Sequence, residues 1–180
     1  MRAVLDTCVL YPTVMREVLL GVARAGMFTP QWSARIIEEW TRAARKLGPE
    51  GAAQAQAEAA MVQAAWPAAA VQYGSGLEAR LWLPDPADTH VLAAAIAGSA
   101  DVIVTMNAKD FPANVLAEGG LSRIAPDEFL MGFWQVSPDV VAGVAELVRL
   151  EAERLSGQPW DMRKLMKKAR LPRLGKALSV

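Results

Sequence analysis

DVIVT, residues 101–105, is the clearest strand in the chain, and the helix-length apolar segment ADTHVLAAAIAG leads into it. The same alternation begins at the N-terminus. Arg2–Leu5 reads as a short central strand. Val14, Val18 and Val22 step by four through a helix over Thr13–Ala25, and Gly26 ends it. Phe28–Trp32 reads as a second strand. Ser33 caps a helix to about Lys46, with Ile36, Ile37, Trp40 and Ala44 on one face. Strand, helix, strand, helix, strand in turn predicts an α/β fold whose central parallel sheet is covered on both faces.

The remaining segments fill in this plan. Pro49 can open a helix over Glu50–Ala65, rich in Ala and Gln, which Pro67 stops. Leu81–Leu83 reads as a strand, Pro84-Asp85-Pro86 as a rigid turn, Ala87–Ala97 as a helix and Ser122–Ile124 as a last strand. Ser137-Pro138-Asp139 has the cap, proline and acid of a helix start. Val140, Val144, Leu147, Val148 and Leu155 follow at helical spacing until Gly157 and Pro159, and Trp160–Leu171 reads as a second, basic helix. The change of character near Leu130–Gln135 divides the chain into residues 1–131, an α/β unit, and 132–180, a C-terminal helical extension.

Charge sharpens that division. The chain is neutral overall, with 19 basic and 19 acidic residues. Residues 161–180 hold seven Lys or Arg and one Asp, a balance of +6, so residues 1–160 carry −6. A basic tail on an acidic body reads either as a contact for an anionic partner or as a solvated helix face. The single cysteine, Cys8, excludes an internal disulfide and a cysteine zinc site. With no signal peptide and no apolar stretch long enough to span a bilayer, the expected location is the cytoplasm, away from membranes.

Ligands of an open α/β sheet bind beyond the carboxyl ends of its strands. Asp6 stands at that end of the first strand, and Asp110 lies just past DVIVT, with Asn107 between. Glu39 and Asp88 lie early in helices that follow strands and so start at the same rim. Converging carboxylates repel one another unless a cation sits among them, and hard oxygen ligands suit Mg²⁺ or Mn²⁺. That chemistry is metal-dependent phosphodiester hydrolysis. Thr13, Arg16 and Arg35 lie near the same rim, within reach of phosphate. His90, the only histidine, reads as structural or as packing on the substrate side.

LDTCVL followed by a helix, then SARIIEEW, then DPADTHVLAAAIAGSADVIVTMNAKDF, resembles the PIN-domain family of metal-dependent nucleases over residues 2–130. It is similar in particular to the VapC-type toxins of toxin–antitoxin pairs. The resemblance implies a three-layer α/β/α fold and an endoribonuclease that uses Mg²⁺ or Mn²⁺, acts on RNA and is held inactive by a small antitoxin protein. It places the family's acids on Asp6, Glu39, Asp88 and Asp110, with Thr105 and Asn107 in support. Cys8 stands where the family usually has Asn. The basic helices would contact RNA, the antitoxin or a second protomer.

Each acid has a plainer reading. Asp6 could be a turn residue, Asp88 or Asp110 a helix cap, and Glu38 or Asp85 the acid that matters in place of its neighbour. Two other functions compete. An aspartyl-nucleophile phosphatase also opens on a strand ending in Asp, but needs a second Asp where this chain has Cys8. A non-catalytic PIN-like binding module is kept open by Asn107.

Overall fold

The computed structural model describes residues 1–179. Five strands form one all-parallel sheet in the order β3-β2-β1-β4-β5, with β1 Arg2–Leu5, β2 Thr29–Ser33, β3 Ala70–Val71, β4 Val102–Val104 and β5 Ser122–Ile124. Ala3 pairs with Pro30 on one side and Val102 on the other, and Val104 pairs with Ile124. β1 is the middle strand. Ala3, Val4 and Leu5 are completely buried, which explains its unbroken apolar run: a strand covered on both faces has no solvent side to mark with polar residues. The chain leaves β1 towards β2 and β3, then returns to β4 and β5. The strand order therefore reverses between β1 and β4.

Helices cover this sheet: α1 Thr7–Leu10, α2 Thr13–Arg24, α3 Ala34–Ala44, α4 Gly48–Ala65, α5 Ser75–Glu78, α6 Thr89–Ala97 and α7 Ala113–Glu118. Ser33 caps α3 as expected, its hydroxyl accepting from the Ile36 N–H. α6 is apolar nearly all round because it lies against β1, β2 and β4. No helix among the described residues is long and apolar enough to cross a membrane.

The C-terminal helices are α8 Pro126–Val136, α9 Pro138–Ser156, α10 Met162–Lys168 and α11 Pro172–Ala177. The division placed at residues 131/132 falls inside α8. α9 lies along α2, and Phe129 and Phe133 of α8 pack with Phe28 at ring separations of 4.9 and 5.7 Å. Leu165, Met166, Leu171 and Leu174 join the same buried cluster as the sheet. Asp127 fastens the end of the chain by accepting the Arg173 and Leu174 N–H groups at 2.9 and 3.0 Å, the first turn of α11.

Three local expectations are corrected. Leu81–Leu83 is not a strand; the edge strand on that side is Ala70–Val71, only two residues long and paired to Trp32 and Ser33. Ser137 starts α9 without a side-chain cap bond. The basic helix ends at Lys168, because Arg170 takes a left-handed backbone at φ 60°. The chain then turns into α11, which the sequence pattern did not reveal.

α9 seats closely on α2 because Gly21 has no side chain. A Cβ there would run into Val144 Cγ1. Gly21→Ala is expected to cost about 1–3 kcal/mol of stability through overpacking, even though alanine favours a helix by about 1 kcal/mol over glycine. Val144→Ala in the same chain should restore most of the loss. Urea unfolding of the single and double variants checks this, and a single variant as stable as the parent would show that the seat is loose.

Candidate active site

Asp6 is the first residue past β1, so the sheet itself delivers it to the point where the strand order reverses. Its N–H donates to the Val104 carbonyl (3.1 Å), extending the β1–β4 pairing by one residue, and its own carbonyl receives the Val9 and Leu10 N–H groups that start α1. The residue is 4% exposed. Its hydrogen bonds converge on one oxygen: Thr105 Oγ1 donates to Oδ2 at 2.6 Å and Cys8 Sγ at 3.1 Å. Thr105 Oγ1 in turn accepts from the Asn107 N–H at 3.0 Å. Backbone, hydroxyl and carboxylate thus form a short chain that fixes Oδ2 and leaves Oδ1 for a ligand.

Asp88 and Asp110 stand near Asp6. Asp88 closes a 3₁₀ turn, Pro86–Asp88, and precedes α6, yet its side chain makes no capping bond; Asp85 caps the turn instead by accepting from the Ala87 N–H. Asp110 closes another 3₁₀ turn, Ala108–Asp110, and does not cap α7. Burial, then the charges of Asp6, Asp85 and Asp110, push the Asp88 carboxyl up to about 6. Asn107 is exposed on the same loop.

Glu39 belongs to a separate arrangement beside this one. Glu38 points away and pairs with Arg42, whereas Glu39 Oε2 accepts from Thr7 Oγ1 at 3.2 Å. His90 Nε2 lies 3.0 Å from Glu39 Oε1, out of line for a hydrogen bond, and Arg35 Nε lies 3.7 Å from the same oxygen. Burial tends to raise the Glu39 carboxyl, but His90, Thr7 and Arg35 outweigh it and hold Glu39 below its ordinary value.

The residues expected to touch phosphate divide. Arg35 is partly exposed at the site, bridging Glu39 and Glu78 Oε1 (2.7 Å). Arg16 is 2% exposed and committed elsewhere: it donates to the Leu10 carbonyl at 2.8 Å, pairs with Glu58 at 2.6 Å and lies over the Trp40 ring. Thr13 is exposed but lines a groove of about 540 Å³ between α2 and α9 that holds none of the four acids. His90 is completely buried, so its ring meets no substrate. Two residues that the sequence reading left outside the site belong beside it. Thr7 and Glu78 are tied to Glu39 and Arg35, and no spacing rule links them across 32 and 43 residues.

The donor set suits a hard divalent cation, since carboxylate oxygens are hard ligands and burial, then the neighbouring acids, oppose the Asp88 charge. Asp6, Asp88 and Asp110 are neighbours rather than a closed cage. Among the described residues, no three His, Cys, Asp or Glu side chains gather tightly enough to hold a metal ion.

Because the folded Asp88 carboxyl is raised, the folded chain keeps this proton after the unfolded chain has lost it. Stability therefore falls as pH rises from about 4 to about 6, and the penalty is complete above that. Asp88→Asn removes the penalty. It should stabilise the protein at pH 7.5 without divalent ions by about 1 kcal/mol, allowing for solvent screening of a half-buried group. The gain should vanish near pH 4. Denaturant unfolding at both pH values checks it, and equal stability at pH 7.5 would show that the carboxylates do not repel.

No curated protein and no solved structure matches the chain. The family profile for the PIN domain matches residues 2–109, a span that takes in Asp6, Glu39, Asp88, Thr105 and Asn107 and stops one residue short of Asp110. PIN domains are generally nuclease domains and typically use divalent metal ions. With an all-parallel five-stranded sheet and the match covering more than half its length, the chain belongs to the PIN domain family.

Proposed function

We propose that this protein is a metal-dependent endoribonuclease whose site is Asp6, Asp88 and Asp110, with Glu39 beside them and Thr105 and Asn107 in support. One observation carries the reading: burial, and then the charges of Asp6, Asp85 and Asp110, push Asp88 up to about 6, so several carboxylates stand close together at one rim of the sheet. Asp6, Asp88 and Asp110 would hold Mg²⁺ or Mn²⁺, which when bound would supply charge stabilisation on a phosphodiester and ease ionisation of water.

The chain's own residues set the geometry. Thr105 and Cys8 hold Asp6 through Oδ2 alone, keeping Oδ1 free. Thr7, His90 and Arg35 keep Glu39 ionised and turned to the site. Arg35, partly exposed, can meet a phosphate oxygen from the same side. In-line attack of water then leaves 5′-phosphate and 3′-hydroxyl ends.

Residues 1–131 form the catalytic unit and 132–180 an accessory one in this reading. The likeness to VapC-type toxins extends it to the toxin of a toxin–antitoxin pair working in the cytoplasm. A basic segment of a small antitoxin would suit a body that carries −6.

A second reading is a binding module that has kept the fold and lost the metal, favoured by the absence of a three-ligand cluster among the described residues. Cleavage of a mixed, structured RNA pool with Mn²⁺ separates the two. The nuclease should cut with Mn²⁺ and stop with EDTA. Asp6→Asn should lower the rate by roughly 100-fold or more, and Thr105→Val, which removes only the hydroxyl on Asp6, by roughly 10–100-fold. Absence of saturable Mn²⁺ binding in calorimetry would leave the inert module.

A further inference from the structure

The PIN match ends at residue 109, and the site uses none of the C-terminal helices, yet these carry the most lopsided charge in the molecule. Arg163, Lys164, Lys167, Lys168, Arg170, Arg173 and Lys176 are all exposed, while Leu165, Met166, Ala169, Leu171 and Leu174 between them are buried. α10 and α11 are therefore folded onto the body with their cations turned outwards. Among the described residues none of the seven side chains forms an ion pair, and Asp161, the one acid of the tail, is spent capping α10 through the Lys164 N–H. Other exposed arginines of the chain, such as Arg42 and Arg154, pair with acids on their own helices.

This face adjoins an aromatic wall. Lys168 Nζ lies 4.9 Å from the centroid of the half-buried Trp160 ring. Trp160 and Lys168 form one side of a groove of about 410 Å³ whose other side is Pro12, Thr13 and Val14. Pro12 follows α1, the short helix that starts at Asp6. The groove thus runs from the basic face to the segment that leads out of the carboxylate rim.

We propose that the basic face of α10 and α11, with Trp160 and Lys168, is a binding surface for the phosphate backbone of single-stranded RNA. The assignment rests on the nuclease reading for its choice of RNA. Charge balance supports it independently: without a bound cation, a body of −6 with clustered carboxylates repels a polyanion, and the +6 tail is where the molecule concentrates opposing charge. Unpaired cations beside an aromatic ring are the combination that holds single strands, with phosphates on Lys and Arg and a base against the ring. An acidic protein segment would meet the same cations but gain little from the Trp160 groove.

The test is anisotropy of a labelled RNA of about 20 nucleotides and mixed sequence with the full-length protein in EDTA, as a function of salt. The wild type should bind, with log K falling linearly with log salt. Lys164→Gln/Lys167→Gln/Lys168→Gln should weaken binding about tenfold at about 0.1 M salt and reduce the slope by about 2, at roughly 0.7 for each phosphate no longer neutralised. Trp160→Phe should keep much of the affinity that Trp160→Ala loses. Far-UV circular dichroism and the unfolding midpoint confirm that each variant is folded. No RNA binding by the wild type, or a triple variant with unchanged affinity and slope, overturns the assignment. Polyglutamate of equal charge binding the same residues as tightly as RNA overturns it in favour of an acidic protein partner. Intact RNA binding without Mn²⁺-dependent cleavage would remove the nuclease reading and leave this surface standing.

Discussion

Everything at the rim depends on where β1 lies. A strand buried on both faces, at the reversal of strand order, must end somewhere, and the first residue that can leave the sheet is Asp6. Its position needs no loop geometry of its own. The backbone bond from Asp6 N–H to Val104 continues the sheet, and the Asp6 carbonyl begins α1. The side chain is therefore held between two regular elements, which is the arrangement that keeps a carboxylate in place against the repulsion of its neighbours.

Electrostatics then separates the carboxylates into two kinds. Glu39 has the Thr7 hydroxyl and Arg35 beside it and the buried His90 ring close by, and its charge is stabilised within the protein. Asp88 is opposed first by burial and then by the acids around it. Like residues in adjoining positions are thus driven in opposite directions by their surroundings. Glu39 is complete as the protein stands, while Asp6, Asp88 and Asp110 are a group that gains most from a positively charged guest. Arg35, lying between Glu39 and Glu78, sits at the border of the two.

Much of this was legible in the sequence because it depends on regular structure. β1, β4, β5 and the helices around them follow from apolar runs, spacing and caps, and the parallel α/β sheet follows from their alternation. Elements without such a signal were misplaced. Ala70–Val71 is too short to show a period, and pairing to β2 alone makes it a strand. The apolar Leu81–Leu83 looked more strand-like but has no partner edge. Asp6, Asp88 and Asp110 could be nominated as candidates because each sits at an element boundary, whereas Glu39 lies in the middle of α3. Arg16 shows where that reasoning stops. It stands among Met15, Val18 and Leu19 on the buried side of α2, and it is taken up by Glu58, an acid on α4 that no local pattern connects to it. A buried guanidinium needs that partner, and partners distant in sequence are what patterning does not reveal.

Cys8 has a chemical consequence of its own. The thiol lies against Asp6, receives the Met106 N–H at 3.2 Å, and burial followed by the Asp6 charge pushes it up to about 12. At neutral pH only about one such sulfur in 10⁵ is a thiolate, and the thiolate is the form that peroxides and alkylating agents attack. The protein therefore holds its single cysteine sulfur beside Asp6 as a protonated thiol, a hydrogen-bond donor to the carboxylate and a poor nucleophile.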